Sequence, residues 1–169
     1  DSDSDGIGDA CDDCIDVANP EGVCPPEPRD PGVSTTIYDI QGGLFSIGDA
    51  VQISSVAVTA VSGSGFTVQE QAGGEYSGVM VYTGSAPTVT VGQLLNVDGM
   101  LDEYYGETQI KDAIITILSS SFSPTGIVLT AEEAATENYE GVLVTIETGT
   151  VSNSSYDCSI DGSGCSDPN

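Results

Sequence analysis

The chain has 169 residues, enough for one good-sized domain and an appendage. It carries 27 acidic residues against Arg29 and Lys111, a formal charge of −25, with no histidine and no tryptophan. Without histidine there is no Ser-His or Cys-His nucleophile pair. Two cations cannot line a groove that tracks phosphates, and no apolar run approaches the length of a membrane span.

Ten of the acids lie in the first 30 residues, which cannot bury a core. They open as "DSDSDGIGDACD". Asp1, Asp3 and Asp5 alternate, Gly6 follows, and an acid stands at Asp12. This is the ligand spacing of an oxygen-lined calcium loop. Alternate side chains turn inward, Gly6 permits the sharp turn, Ile7 lends its carbonyl, and Asp12 closes the loop. Calcium is the expected cofactor and takes the place of the missing hydrophobic core. A solvated acidic tail is the competing reading, and it has no need of a glycine in register. Zinc at Cys11-x-x-Cys14 also competes, but the neighbouring aspartates prefer a harder cation.

No helical periodicity follows the loop, which argues against a helix-flanked calcium site. The run "DSDSDGIGDACDDCIDVANPEG" instead resembles a thrombospondin type 3 repeat over residues 1–22. The resemblance implies irregular chain wrapped around calcium. Asp1, Asp3, Asp5, Asp9 and Asp12 would be ligands in a first arm; Asp13, Asp16 and Asn19 would follow in a second. That family usually places Asn before the second-arm cysteine and Pro after it, where this chain has Asp13 and Ile15.

All five cysteines lie in the polar ends: Cys11, Cys14, Cys24, Cys158 and Cys165. That placement points to disulfides and an oxidising, extracellular compartment. Cys158 and Cys165 flank six turn-forming residues, which suits a local bridge. Cys14 and Cys24 can pair across the Asn-Pro turn. Cys11 is then left over for an intermolecular bond or a free thiol. The chain starts inside an acidic motif and is read as a mature or clipped piece of a larger precursor.

Residues 20–33 hold five of the eight prolines and read as a stiff connector. Short apolar-alternating runs then follow in order: 50–61, 66–71, 79–83, 94–101, 108–118 and 127–130. Within 50–61 the alternation slips at Ser54-Ser55, the mark of a β-bulge. Thr130 with Glu133 forms a capping box for a short helix over about 131–138. A final strand is expected over 142–152. Short strands with Gly/Ser turns favour a small barrel or sandwich.

The order "GDAVQISSVAVTAV…GFTVQEQ…SGVMVYTG…VGQLLNVDGMLDEYYGETQI", continued by "ENYEGVLVTIETGTVSN", resembles the OB-fold domain of bacterial secreted nucleases. The expected fold is therefore all-β: an OB-fold-like small barrel with one short helix, preceded by an irregular calcium-binding segment. The connection "GSAPTVTVG" is too short for the helix that an ordinary OB-fold carries between its third and fourth strands. Four regions result: a thrombospondin type 3-like calcium segment (1–24), a Pro-rich connector (25–34), the OB-fold-like domain (35–153) and a Cys-containing tail (154–169).

The fold fixes no function. Tyr76, Tyr82, Tyr104 and Tyr105 could stack on bases, but the charge opposes nucleic acid, and strand packing explains tyrosines as readily. Lys111 has no serine positioned beside it in sequence. The nuclease resemblance omits the catalytic domain. The leading expectation is a secreted, calcium-stabilised structural module, not an enzyme, that self-associates end to end into a filament, surface layer or matrix. The alternatives are an accessory domain of a secreted nuclease or other hydrolase, and a carbohydrate-binding adhesin module that uses its exposed tyrosines.

Overall fold

The structure, a computed structural model, describes residues 31–119 and 122–150. The chain divides between Pro31 and Gly32 into two units, and the fold below is that of the second. Its elements are β1 (Val33–Thr35), α1 (Ile37–Gln41), β2 (Ala50–Ser62), β3 (Gly65–Gln69), β4 (Gly78–Tyr82), β5 (Leu94–Tyr104), β6 (Glu107–Ser119), β7 (Ile127–Val128), α2 (Ala131–Ala134) and β8 (Val144–Thr145). A 3-10 turn at Glu137–Tyr139 lies between α2 and β8. Among the described residues no helix is long and apolar enough to cross a membrane.

The strands form a closed small barrel. β2, β3 and β4 make an antiparallel meander. β4 runs parallel to β6, β6 antiparallel to β5, and β5 returns antiparallel to β2. This hydrogen-bonded ring, in the order β2-β3-β4-β6-β5, has OB-fold topology. No helix joins β4 to β5, as the short connection requires.

One strand makes closure possible. β2 pairs with β5 along its first half and with β3 along its second. The expected bulge lies between them: the register against β5 shifts between Ile53 and Val56. Ser55 has φ +56° there, and its N–H donates to Asn96 Oδ1 at 3.0 Å. The extra residues reset the alternation, so that Val51, Ile53, Val56 and Val58 all point inward with no exposure. Phe66, Val68, Val79, Val81, Leu95, Val97 and Ile110 complete the interior. Each such side chain stabilises the fold by about 1.5–3 kcal/mol through burial.

Two elements differ from the sequence reading. α1 had no place in it: "IYDIQ" is one turn long, too short to display a period. Thr36 caps it, accepting from Asp39 N at 3.2 Å, and Ile37 and Ile40 enter the core. Of the strand expected over 142–152, the described part, 142–150, is strand only at Val144–Thr145, which pairs in parallel with β7, outside the barrel. The ring is already closed by β5 and β2, which leaves that segment no place in it. The helix expected over 131–138 is α2 followed by the 3-10 turn, and both halves of the Thr130/Glu133 capping box are formed. β1 begins at Val33, within the proline-rich stretch.

Candidate functional site

The outward residues of β3, β4, β6 and β5 form rows across the barrel. Register places Thr67 beside Met80, Met80 beside Gln109, and Gln109 beside Asp102. Gly65 stands opposite Tyr82, and Tyr104 opposite Glu107. A groove of about 510 Å³ opens over these rows, between the β2–β3 turn at Ser64 and the β5–β6 hairpin. It is lined by Met80, Tyr82, Asp102, Tyr104, Glu107, Gln109 and Lys111. In OB-folds this face, with its two flanking loops, is the one that takes oligonucleotides and oligosaccharides.

Glycine is required at one point of the floor. A Cβ on Gly65 would overlap the Met80 methyl group and the Val81 carbonyl oxygen. Its absence lets Met80 lie flat across β3, leaving a polarisable apolar surface in the groove.

The polar side is organised around Asp102. Its Oδ2 accepts from Gln109 Nε2 at 3.0 Å and pairs with Lys111 Nζ at 3.2 Å. The hydrogen bonds from Gln109 and then Lys111 hold the Asp102 carboxyl below the usual aspartate range. Lys111 is the sole lysine or arginine among the described residues. Its charge is therefore compensated in place. Glu107, at the rim, is raised by desolvation and then by repulsion from Glu140.

The hairpin at the groove's edge is unusual. Tyr105 and Gly106 both have positive φ, +54° and +86°, the pattern of a type I′ turn. Asn or Asp ordinarily occupies the first of these positions, because a bulky side chain strains there. Here it is a tyrosine with 94% of its surface exposed. Its ring meets that of Tyr104 edge to face, with centroids 4.6 Å apart.

The structure thus brings three of the four singled-out tyrosines to one place. Tyr82 and Tyr104 line the groove and Tyr105 stands at its edge. Tyr76 is separate: its hydroxyl donates to Asn138 Oδ1 at 2.6 Å and its N–H to the Asn138 carbonyl at 2.6 Å. That tyrosine ties the 3-10 turn to the barrel. Lys111 faces Asp102 and not a serine nucleophile. Sequence reading passed over Met80, Asp102 and Gln109; the alternation of β4, β5 and β6 was the signal that placed them outward.

A smaller hollow of about 250 Å³ lies between β2, β3 and residues 122–125. Gln69 in its wall accepts the Leu143 N–H at 2.9 Å, a structural role. The calcium set (Asp1, Asp3, Asp5, Ile7, Asp9, Asp12, Asp13, Asp16, Asn19) lies outside the described residues. So do Cys11, Cys14, Cys24, Cys158 and Cys165. Among the described residues no three His, Cys, Asp or Glu side chains gather as metal ligands.

No protein-family model matches the chain, and no curated protein does. Among solved structures it is similar to the hypothetical protein ygiW from E. coli, at 13% identity and a TM-score of 0.38, over 54% of this chain and 94% of that one.

Proposed function

We propose that this chain is a secreted, non-catalytic binding module, stabilised by calcium at its N-terminal segment, whose barrel groove takes a neutral oligosaccharide. The observation that carries this reading is Tyr105. A bulky residue in the left-handed region costs about 1–2 kcal/mol. Here that cost holds an aromatic ring almost wholly in solvent at the mouth of a groove. Strain of this kind concentrates at ligand sites. Structural packing does not account for it, because the ring's contact is with Tyr104, itself 60% exposed.

The ligand class follows from the lining. Pyranose rings offer apolar C–H faces that pack on tyrosine, and hydroxyls that bond to carboxylates and amides. Tyr82, Tyr104 and Tyr105 supply the first, and Asp102, Gln109 and Glu107 the second. Nucleic acid also stacks on aromatics. It requires cations for its phosphates as well, and the sole cation here is neutralised by Asp102. Titration calorimetry against a panel of neutral oligosaccharides and single-stranded DNA tests the reading. Binding of a glycan that Tyr105→Ala and Tyr82→Ala each weaken is expected. Binding of DNA in preference to every glycan would overturn it.

The acid register at residues 1–12 and the odd number of cysteines favour a second reading, a structural module that self-associates end to end. At −25 per chain, such contacts repel unless calcium sits between them, and a head-to-tail contact that does not close makes a filament. Light scattering in millimolar calcium and in chelator separates this from a monomeric binding module.

A further inference from the structure

Strand β6 extends past its neighbour. β4 pairs with it at Met80–Gln109 and Val81–Ile110 and then departs, with Thr83 N donating to Ser64 O at 2.8 Å. A hollow of about 240 Å³ bounded by Tyr82, Gly84, Asp112 and Ala113 marks the parting. Beyond it, β6 keeps β5 on one side through Ile114–Asp98, Thr116–Asn96 and Ile117–Leu95. Among the described residues no strand covers its other side.

An uncovered strand edge is a template for another strand, and proteins usually guard it with charge, proline or a second bulge. Residues 113–119, "AIITILS", contain neither charge nor proline, and the bulge there, at Leu118 against Leu94 and Leu95, falls at the far end of the strip. Their apolar side chains are also exposed: Ile114 at 61%, Ile117 at 49% and Leu118 at 48%.

We infer that residues 113–119 pair with the same residues of a second copy, antiparallel about a two-fold axis through Thr116. The sequence is complementary to itself in that register. Thr116 faces Thr116 and Ile115 of one copy faces Ile117 of the other, while Ile114 meets the bulge at Leu118. Threonine pairs and β-branched pairs are favourable cross-strand neighbours. Charge selects the same strip. Two chains at −25 each can approach closely only where neither presents carboxylates. The strip stops short of Asp112, so no charge meets a like charge within it. The chain's own remaining segments make poor occupants. Residues 1–30 carry ten acids, and 151–169 ("VSNSSYDCSIDGSGCSDPN") contain no alternating apolar run. A contact of this kind is isologous and closes at two copies. It needs neither calcium nor a disulfide, which separates it from end-to-end assembly.

The full chain tests this by sedimentation in chelator and reductant. A species of twice 17.2 kDa is expected. The double variant Ile114→Lys/Leu118→Lys places like charges face to face and should sediment at 17.2 kDa. Both side chains are exposed, so its circular dichroism should match the parent and it should unfold cooperatively, losing only the concentration-dependent part of the parent's melting temperature. Cysteine scanning reads the register. Thr116→Cys should cross-link to itself, since paired Cα atoms lie about 4.5–5.5 Å apart, within disulfide reach. Ile114→Cys should not, because its own copy is four residues away, about 14 Å. It should cross-link when mixed with Leu118→Cys. Peptide mapping distinguishes these links from those of the native cysteines. A wild-type chain that stays at 17.2 kDa at high concentration overturns the inference. So does a dimer that the lysine pair leaves intact, or protection, in a monomer, of those 113–119 amides that point away from β5.

Discussion

Lys111 Nζ lies 3.2 Å from Asp102 Oδ2, and that same oxygen accepts Gln109 Nε2 at 3.0 Å. The pair removes the cation that a phosphate would seek and orients a carboxylate toward the groove. Asp102→Asn should therefore reverse the ligand preference. Oligosaccharide affinity is expected to fall about tenfold, the loss of roughly one charge-assisted hydrogen bond, while affinity for single-stranded DNA rises. Stability should move little, since both side chains are partly exposed and solvent screens the pair. Calorimetry with both ligands and a thermal melt read the three effects. The pH profile follows from the direction of the shift. Asp102 is held below its ordinary range, so its ion pair is present above the unfolded pKa of 3.8 and is lost as pH falls through the lower folded value. Glycan binding should not change between pH 7 and 5 on account of this group.

Tyr105 separates stability from binding. At φ +54° in the first position of a type I′ turn, asparagine fits better than tyrosine. Tyr105→Asn should stabilise the barrel by about 1 kcal/mol and weaken glycan binding. A chemical denaturation curve and a binding isotherm on the same sample check both. A variant that gains stability and keeps full affinity would remove Tyr105 from the site.

Much of the barrel was legible because its strands are amphipathic at period two. Even the bulge could be read, since Ser54-Ser55 interrupts a strand whose inward residues are otherwise all Val and Ile. The groove was half legible. Tyrosine content pointed to an aromatic surface, yet Tyr76 and Tyr105 look alike in sequence; their roles depend on whether Asn138 or solvent meets the ring. Asp102 and Gln109 come together by strand pairing across seven residues, which no local spacing signals. β8 was misread because "VLVTIETGTV" has strand composition, whereas pairing depends on a free edge in the right place.

Glu107 stands near Glu140, whose Oε1 accepts from Thr108 N at 3.0 Å and Gln41 Nε2 at 3.3 Å. Desolvation and then this repulsion raise the Glu107 carboxyl above the usual glutamate value of 4.5. A raised acid binds its proton more readily in the folded state. Its destabilising effect is thus absent below the unfolded pKa and appears as pH rises through the folded one. Glu107→Gln should accordingly stabilise the protein at pH 7, by less than about 1 kcal/mol because the group is exposed. The gain should vanish below pH 4.5. Melting curves of both proteins between pH 3 and 7 test the sign.

Gly141 meets Gly78 backbone to backbone, and neither position has room for a Cβ. Gly141 also has φ +65°. This contact seats the segment after the 3-10 turn on the end of β4. Gly141→Ala combines left-handed strain of about 1–2 kcal/mol with overlap of about 1–3 kcal/mol. It should destabilise the domain by about 2–4 kcal/mol. Gly149, with open space around it and no positive φ, is the control: Gly149→Ala should change stability by about 0.5 kcal/mol or less. Equal melting of the two variants would show that the glycine contact contributes nothing.

Calcium should act on one end of the chain and leave the barrel's stability unchanged. Among the described residues the core runs from Ile37 to Ile110, and the chain divides into two units between Pro31 and Gly32. Chelation should therefore leave the barrel's melting temperature in place while amides of residues 1–24 exchange faster. The two arms should differ. Asp5 belongs to the alternating register with Gly6, whereas Asp13 stands where the resembling repeats usually have Asn. Each missing carboxylate removes a hard oxygen ligand from a cation that needs six to eight. Asp5→Ala should weaken calcium binding more than Asp13→Ala, by about tenfold or more for one inward carboxylate. Calorimetric titration of calcium into the three proteins decides. Unchanged exchange in residues 1–24 on chelation, or equal affinities for both variants, would remove the loop register as the basis of binding.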